Sequence, residues 1–255
     1  MADSLKPRSQ WWRHAICAGV DLLFPAKCIA CRDDLGDERR TSSICGECEE
    51  RLEFVDWPVC PRCAAPVPST NGVDLACNHC RGDKLRFQRT IALGSYEGLL
   101  RQIVMRTKAD RSGVVTHALA ELAWQRLGDQ LLDLEIDVVS AVPMHRWRRW
   151  QRGVNGPLHI AQRLAERLQV PCAGQMLQLV RNVPPQVGLS RPARFRNLAG
   201  EMAVGASYHL AAARVLIVDD ILTTGATCSE AARVLRRAGA ADVTVLVLAR
   251  TPAGG

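Results

Sequence analysis

Four Cys-x-x-Cys pairs constrain the fold of this chain more than any other feature of its sequence. The stretches between Cys31 and Cys45 and between Cys63 and Cys77 have the same length, so the pattern is repeated. A tight turn lets both sulfurs of a pair face one ion, and four thiolates in a tetrahedron suit zinc. The spacing therefore predicts two structural zinc sites, with Cys28, Cys31, Cys45 and Cys48 in one and Cys60, Cys63, Cys77 and Cys80 in the other.

Other interpretations of these cysteines fit the sequence less well. The spacing leaves interleaved pairing open, and His79, inside the last pair, is an alternative ligand. A redox pair needs a thioredoxin-like strand and helix around it, and an iron–sulfur cluster fits the ribbon-like spacing less well. A segment of about 50 residues with few large apolar groups cannot bury a core of its own, so we expect the metal to stabilise it. Because no export signal is evident, we expect a reducing, cytoplasmic location rather than a disulfide scaffold.

Composition places the rest of the chain among globular proteins with an affinity for anions. The 255 residues are 47% hydrophobic and 23% charged, and the formal net charge is +7. A modestly basic protein favours partners such as nucleic acid or phosphorylated small molecules. No run approaches the roughly 20 apolar residues that span a bilayer, so we expect no membrane span. Residues 1–27 predict an amphipathic leader helix, and residues 251–255 a flexible tail.

After residue 86 the pattern changes to apolar strands that alternate with helices. Such strands, buried on both faces, are typical of a parallel α/β sheet. The sequence therefore predicts an α/β domain over residues 87–250, preceded by a zinc-ribbon module over residues 28–86. The predicted strands lie at 90–96, 136–142, 175–180, 214–218 and 243–248, and the predicted helices at 98–108, 114–132, 158–168 and 226–238.

The strand at 214–218 leads into a second group of residues that carries chemistry. Asp219 and Asp220 follow it side by side, and fold stability gives no reason to place two repelling carboxylates there. Ribose hydroxyls or a magnesium ion would compensate them. The next residues open a helix, whose unpaired N–H groups suit a phosphate. The sequence predicts that this phosphate is held by Thr223, Thr224, Gly225, Ala226 and Thr227.

These residues carry a resemblance to a known class of protein. Residues 215–227 resemble the phosphoribosyl pyrophosphate motif of type I phosphoribosyltransferases, and the wider chain resembles the ComF family, which adds a double zinc ribbon. Gly156 departs from the family's usual glutamine. The matching pieces are Pro25 with Cys28 and Cys31, Tyr96-Glu97-Gly98 with Lys108, Val142-Pro143 with Arg152-Gly153 and Asn155, and Arg181 with Gln186, Leu189-Ser190, Arg194 and Asn197.

The resemblance implies a fold, a ligand and a context. It implies a twisted parallel sheet with helices on both faces, with Asp219 and Asp220 at the ribose and residues 223–227 at its 5′-phosphate. The ligand would be phosphoribosyl pyrophosphate, bound together with Mg²⁺. The family is associated with uptake of single-stranded DNA in natural transformation, beside a helicase-like competence protein.

Two basic segments are further candidates for the site. By resemblance, residues 145–152 form the pyrophosphate loop and residues 181–197 the lid over the substrate. Arginine forks suit a diphosphate, although arginine interleaved with tryptophan also suits stacking on unpaired bases, and a solvated loop is the plain alternative. Lys108 either faces the site or lies at a solvated helix end. The candidate arginines are Arg146, Arg148, Arg149 and Arg152 in the first segment and Arg181 and Arg194 in the second.

The sequence leaves three functions open. The chain is a protein that binds a ribose 5-phosphate ligand in connection with DNA uptake, an active phosphoribosyltransferase that acts on a nitrogen nucleophile, or a non-catalytic factor for single-stranded DNA. Asp219 and Asp220 are the catalytic candidates of the second hypothesis. The lid segment contains no lysine to assist a leaving group, and the chain has no Walker A pattern, so it does not predict an ATPase.

Overall fold

The computed structural model describes residues 26–35, 43–55, 58–67, 77–83, 85–144, 155–181, 186 and 188–252. The chain divides into two compact units, Met1–Glu50 and Arg51–Gly255. Of the predicted leader, residues 1–27, the first 25 residues lie outside the described ones, and the prediction of a helix there stays a prediction. Among the helices of the described parts, none has the length and apolar character that crossing a bilayer would require.

The described helices and strands follow one another in a mixed order. The strands are β1 (Arg89–Ser95), β2 (Val138–Ala141), β3 (Leu177–Leu179), β4 (Met202–Val204), β5 (Arg214–Leu222) and β6 (Asp242–Arg250). The helices are α1 (Gly46–Glu50), α2 (Gly98–Thr107), α3 (Val114–Leu132), α4 (Gly156–Leu168), α5 (Arg191–Leu198) and α6 (Ala226–Arg237).

The smaller unit is organised around its cysteines. An antiparallel bridge joins Lys27 to Asp34, and α1 begins directly after Cys45 and contains Cys48, the other member of the second pair. Among its described residues, 26–35 and 43–50, few side chains are buried, and these include Ile29, Leu35 and Ile44. So small a cluster supplies little hydrophobic stabilisation, as expected of a segment that depends on a metal ion.

A four-stranded parallel sheet forms the core of the larger unit, in the order β1-β6-β5-β2. The predicted parallel α/β fold is confirmed. Successive residues of a strand face opposite sides, and Val215 and Ile217 of β5 belong to the same hydrophobic cluster as the buried side of α6. Helix α4 contacts β2 and β5 and also packs against α3.

The prediction of a strand at 175–180 is right in type but wrong in the sheet to which it belongs. Residues Leu177–Leu179 pair with Met202–Val204 as an antiparallel, two-stranded sheet apart from the main one. Strand β4 was missed because it is only three residues long, too short for a pattern of alternation to show.

The basic, proline-rich composition of residues 181–196 predicts a polar loop, and this prediction is wrong over its second half. Helix α5 covers Arg191–Leu198, with Ser190 at its N-cap position and Pro192 in its first turn. Proline fits the first turn of a helix, because the N–H that it lacks has no partner within the helix. The same proline suggested a loop when only composition was considered.

The second cysteine tetrad is built into the larger unit. Cys60, Cys63 and Cys80 belong to the buried cluster that also contains Val215 and Ile217 of β5. Just before β1, Leu85 and Phe87 are buried in the same cluster. The core of the sheet therefore extends without interruption into the second half of the cysteine repeat.

Candidate metal centres and phosphate loop

The eight cysteines form two compact groups of four. Within each group the sulfurs lie within 4.8 Å of one another. The Sγ atoms of Cys31 and Cys45 are 3.8 Å apart, and those of Cys63 and Cys77 are 3.7 Å apart. Four Zn–S bonds of about 2.3 Å in a tetrahedron place the sulfurs about 3.8 Å apart, so both groups fit a zinc ion.

The pairing that the spacing left open is settled by position. Cys28, Cys31, Cys45 and Cys48 come together, and so do Cys60, Cys63, Cys77 and Cys80. The Nε2 atom of His79 lies instead against the guanidinium groups of Arg250 and Arg191. This histidine belongs to the surroundings of the second centre and not to its set of four ligands.

All four Cys-x-x-Cys pairs adopt the same turn. In each, the carbonyl of the first cysteine accepts a hydrogen bond from the amide four residues later, which closes the turn and aims both sulfurs inward. In the first pair of each repeat, the residue after the second cysteine, Arg32 or Ala64, has a positive φ. The bonds join Arg32 to Cys28, Glu49 to Cys45, Ala64 to Cys60 and Arg81 to Cys77, at 2.8–2.9 Å.

The thiols of each centre differ in their readiness to ionise. Burial opposes ionisation of Cys28, but amide donors from Cys45, Cys31 and Ala30 outweigh it and lower its pKa to about 7. Burial raises the pKa of Cys80 to about 11, helped by the neighbouring charge of Cys60. Four thiolates side by side repel one another, so a cation is needed to hold all of them ionised.

Arg250 connects the second centre to the end of the sheet. It is the last residue of β6 and only 4% exposed. Its Nε donates to the carbonyl of Cys63 at 2.9 Å, and its Nη1 donates to the carbonyl of Leu222 at 3.2 Å. Leu222 immediately precedes the predicted phosphate loop, so one buried side chain bridges a zinc ligand and that loop.

Arg191 makes a second connection, from the other side of His79. It forms a two-pronged ion pair with Asp83, with Nε and Oδ1 3.0 Å apart, and its Nη1 lies 3.3 Å from His79 Nε2. Burial and the two arginines lower the pKa of His79, so its ring stays neutral. A zinc ion with four thiolates carries a net negative charge, and the buried guanidinium of Arg250, with the half-buried one of Arg191, offsets part of that charge.

The predicted phosphate loop turns tightly between β5 and α6. Gly225 has φ +78° and stands at the N-cap position of α6. A Cβ atom there would lie 3.2 Å from a methyl group of Leu85 and 3.4 Å from the ring of Phe87. The position therefore requires glycine on two grounds, conformation and space. The hydroxyl of Thr224 accepts from the amide of Ala226 at 3.3 Å, while Thr223 is exposed.

Both acidic residues belong to β5, which runs on to Leu222 instead of ending at residue 218 as predicted. Pairing with β6 continues through Asp219 and beyond, whereas pairing with β2 stops at Val218. The two carboxylates therefore follow the point where β5 loses one neighbour. This is the carboxyl edge of the parallel sheet, where α/β proteins bind their ligands.

The two carboxylates point at different partners. Asp219 accepts from the amide of Asp220 at 2.8 Å and from the thiol of Cys228 at 3.8 Å. Asp220 lies 3.5 Å from the Nζ of Lys108. Burial, and then the charge of Asp220, raise the pKa of Asp219 well above its ordinary value. Lys108 therefore faces the site, the first of the two alternatives that the sequence left open.

The remaining candidates are placed differently. Arg194 donates from Nη1 to the hydroxyl of Thr223 at 3.1 Å, which brings α5 to the phosphate loop. Arg181 lies 3.9 Å from Glu201, on an exposed surface. Asn155 caps α4 through its side chain, which gives this residue of the quoted motif a structural role. Arg146, Arg148, Arg149 and Arg152 lie outside the described residues.

The sequence analysis missed the residues that join the two sites. It ended the last strand at residue 248 and so overlooked Arg250, although a single arginine that continues an apolar strand is a usable signal. Arg191 and Asp83 give no such signal, because the two positions are far apart in sequence. Cys228, interpreted as a packing residue, also contacts Asp219.

Comparison with known proteins defines the class to which these two sites belong. Residues 19–81 match the model of the double zinc ribbon domain, and residues 155–255 match that of the phosphoribosyl transferase domain. The chain is therefore a double zinc ribbon joined to a phosphoribosyltransferase domain.

Curated relatives share this combination over their full lengths. The chain is 26% identical to competence protein F of Haemophilus influenzae over 232 residues, which cover 89% of the chain and 98% of the relative. It is 31% identical to the DNA utilization protein YhgH of Salmonella typhimurium over 233 residues, or 90% and 99% of the two chains. The chain belongs to the ComF family, and the resemblance seen in its sequence is confirmed.

Solved structures are more distant. A purine phosphoribosyltransferase from Pyrococcus horikoshii aligns with 18% identity and a TM-score of 0.33, over 63% of this chain and 87% of that one. The glutamine phosphoribosylpyrophosphate amidotransferase from B. subtilis aligns with 24% identity and a TM-score of 0.33 over 51% of this chain. The aligned part spans only 26% of that enzyme. Similarities this low support no functional assignment.

Proposed function

We propose that this chain binds a ribose 5-phosphate ligand, phosphoribosyl pyrophosphate in the first place, in connection with DNA uptake. One observation carries the proposal. A buried parallel strand delivers two carboxylates to the carboxyl edge of the sheet, and a left-handed glycine then starts a helix. This order of strand, turn and helix places carboxylates that can accept hydrogen bonds from ribose hydroxyls beside a helix N-terminus that can bind a phosphate.

The 5′-phosphate would lie against the turn at 223–227. Backbone amides at the start of α6 and the positive end of its dipole favour an anion there, and Thr224 already bonds the amide of Ala226. Arg194 already reaches the hydroxyl of Thr223, so a guanidinium is within reach of a phosphate bound on the loop. The hydroxyl of Thr227 faces the same first turn by its position in the helix.

The ribose hydroxyls would be bound by Asp220, with Asp219 behind it. Asp220 is partly exposed and paired with Lys108, so it can accept from a hydroxyl without first losing a buried partner. Asp219 is held by Cys228 and by the amide of Asp220, and it fixes the turn of the strand. Lys108 is then placed to meet the negative charge of the ligand.

Magnesium fits the same residues. Mg²⁺ prefers oxygen ligands and is commonly held by one or two carboxylates together with phosphate oxygens of the substrate. Asp220 offers such a carboxylate, and when bound the ion would neutralise part of the charge of the pyrophosphate group. Lys108 and Arg194 belong to the chain itself and would supply the remaining positive charge.

The relatives give the proposal its biological context. Their names, competence protein F and DNA utilization protein, concern DNA. We therefore place the sugar-phosphate site in a protein that acts on incoming DNA, in a cytoplasm whose reducing conditions keep eight thiols available for zinc.

Calorimetric titration tests the proposal directly. The intact, zinc-loaded protein is titrated with phosphoribosyl pyrophosphate with and without Mg²⁺, and with ribose 5-phosphate alone. We expect binding that depends on magnesium and weakens at least about tenfold in Asp220→Asn, because a hydrogen bond to a charged group contributes about 1.5–3 kcal/mol. Asp133→Asn changes an exposed acid at the end of α3 and is the matched control.

Two results would contradict the proposal. One is a wild-type protein that binds neither ligand, and the other is an Asp220→Asn variant that binds like the control. Release of pyrophosphate during incubation with nitrogen nucleophiles would show in addition that the site turns its ligand over.

A further inference from the structure

A second basic site lies in the larger unit, apart from the phosphate loop. It is a cavity of about 600 Å³ between α6 and the segment that leads into β1. No acidic residue lines it. Five arginines do, namely Arg62, Arg86, Arg233, Arg236 and Arg237.

The cavity lies towards the opposite edge of the sheet from the acidic pair. Gln88, which lines it, accepts from the amide of Val243 at 3.0 Å, at the beginning of β6. Arg236 and Arg237 stand in the last turn of α6, whereas the phosphate loop precedes its first turn. A ligand in the cavity and a ligand on the loop would therefore occupy different ends of the same helix.

Two of the arginines are held in place by their neighbours. Arg62 donates from Nη2 to the carbonyl of Leu85 at 2.6 Å. Arg233 forms a two-pronged ion pair with Glu230, at 2.6 and 2.7 Å. Their side chains need little ordering when a ligand arrives, which favours binding.

The other three arginines have no acidic partner among the residues that the structure describes. Arg86, Arg236 and Arg237 are all exposed. A cation in the last turn of a helix is ordinary, because it meets the negative end of the helix dipole. That explanation covers Arg236 and Arg237 but not Arg62 and Arg86, which converge on the cavity from other parts of the chain.

The arginines are spread along the helix rather than gathered at a point. The amide of Arg86 donates to the hydroxyl of Ser229, which places Arg86 beside that turn of α6. The turns that carry Arg233, Arg236 and Arg237 follow it. From residue 229 to residue 237 the helix rises about 12 Å, which is too long for one phosphate and suits several in succession.

We infer that this cavity binds the sugar-phosphate backbone of a nucleic-acid strand. Arginine forks match phosphate oxygens. The aromatic ring in the lining, Phe87, is 2% exposed and is packed in the core, so it does not offer a stacking surface for bases. Binding would therefore be electrostatic, independent of base sequence and sensitive to salt. The inference deepens the DNA part of the proposed function and leaves the ribose phosphate site free to be filled at the same time.

Fluorescence anisotropy with a labelled DNA strand of about 20 nucleotides tests the inference at several salt concentrations. The variant Arg236→Gln/Arg237→Gln removes two charges from the cavity. We expect its affinity to fall at least about tenfold at low salt, and the slope of log K against log salt to decrease by about 1.4, or about 0.7 for each lost contact. Saturating phosphoribosyl pyrophosphate should not displace the strand.

The matched control is Arg167→Gln/Arg214→Gln. It removes the same charge at arginines outside the cavity, which are paired with Glu121 and Glu135. If the control and the cavity variant weaken DNA binding equally, the cavity is not the site. The inference also fails if only Arg148→Gln/Arg149→Gln weakens binding.

The two proposals can fail separately. A wild-type protein that binds no strand, single or double, would overturn both this inference and the DNA part of the proposed function. Normal wild-type binding with an unaffected cavity variant would overturn the inference alone. A preference for duplex over single strands would keep the cavity and correct the kind of strand.

Discussion

The two cysteine tetrads have the same spacing in sequence and very different surroundings. In the first, Cys31 is exposed, and the described residues nearby supply a small cluster of buried side chains. In the second, the equivalent Cys63 is 3% exposed and shares a core with β5. Its carbonyl also accepts a hydrogen bond from Arg250. One pattern therefore lies among few buried side chains in the described part of the smaller unit and, a few residues later, forms an integral part of the core of a larger domain.

This difference shows what ligand spacing specifies and what it does not. The spacing fixes the turn and the direction of the sulfurs, and these are alike in both tetrads. The role of each centre depends on residues outside the pattern. In the second tetrad these are Arg250 and Arg191, which contact His79 inside the last pair, and Arg250 also relates the ligands to the phosphate loop.

The largest expected effect comes from removing one ligand in each centre, at equivalent positions. Cys63→Ser and Cys31→Ser should each release one zinc ion. Only Cys63→Ser should destabilise the larger unit, by about 4 kcal/mol or more, because zinc contributes on the order of 10 kcal/mol in isolated fingers. That change corresponds to a fall in Tm on the order of 10 °C. Zinc analysis measures the bound metal, calorimetry the stability, and titration with phosphoribosyl pyrophosphate the binding of the ligand.

Equal losses of stability and ligand binding in both variants would break the comparison. It would mean that the first centre supports the larger unit as firmly as the second. A main unfolding transition of Cys31→Ser within about 2 °C of wild type would sharpen the distinction.

A smaller effect is expected from Arg250→Met. The substitution leaves the buried carbonyl of Cys63 without a donor, at a cost of about 1–3 kcal/mol. It also removes the bonds of Arg250 to Thr251 and to the carbonyl of Leu222, although the amide of Thr251 still donates to that carbonyl. We expect stability to fall by about 3 kcal/mol while the second zinc ion remains bound, and affinity for phosphoribosyl pyrophosphate to fall about tenfold. Arg250→Lys should recover part of the stability, since one ammonium cannot replace the fork.

Arg81→Met is the control for this prediction. Arg81 is exposed and follows the last zinc ligand, so it also lies beside the second centre. If Arg250→Met loses as much zinc as Cys63→Ser does, Arg250 stabilises the metal centre rather than the phosphate loop.

The smallest effect concerns Asp219, and it has the opposite sign. Because burial and Asp220 raise the pKa of this carboxyl, its ionisation costs stability at neutral pH. Asp219→Asn should therefore raise Tm by a few degrees near pH 7, even though it weakens ligand binding. The gain should begin to shrink as the pH falls below the raised pKa, and it should vanish below about 3.9, the ordinary pKa of aspartate, where the carboxyl is protonated in both the folded and the unfolded chain. A gain that is constant from pH 4 to pH 8 would contradict this account.

The sequence predicted the parts of the structure that depend on local pattern. The eight cysteines, the apolar strands around residues 138–141 and 214–218, and the helix after Gly225 all have short-range signals, and all appear in the structure. The resemblance of residues 215–227 to a known motif predicted the acidic pair and the turn that follows it.

What the sequence did not predict depends on contacts between distant positions. Strand β5 extends past residue 218 because β6 continues beside it, and no property of Asp219 itself indicates this. Arg250 and Cys63 are 187 residues apart in the chain, so no local sequence pattern relates them. Strands β3 and β4 are separated in the sequence by α5. Neither short strand is therefore followed by a partner close enough for a hairpin pattern to identify it.

The support beneath Gly225 has a consequence for the kinetics of ligand capture. Leu85 and Phe87 fill the space under this residue, and its backbone is already in the left-handed form. A loop fixed in this way has little conformational entropy to lose on binding. Stopped-flow traces should therefore show a single phase whose rate rises linearly with ligand concentration, without the plateau that a slow rearrangement would impose.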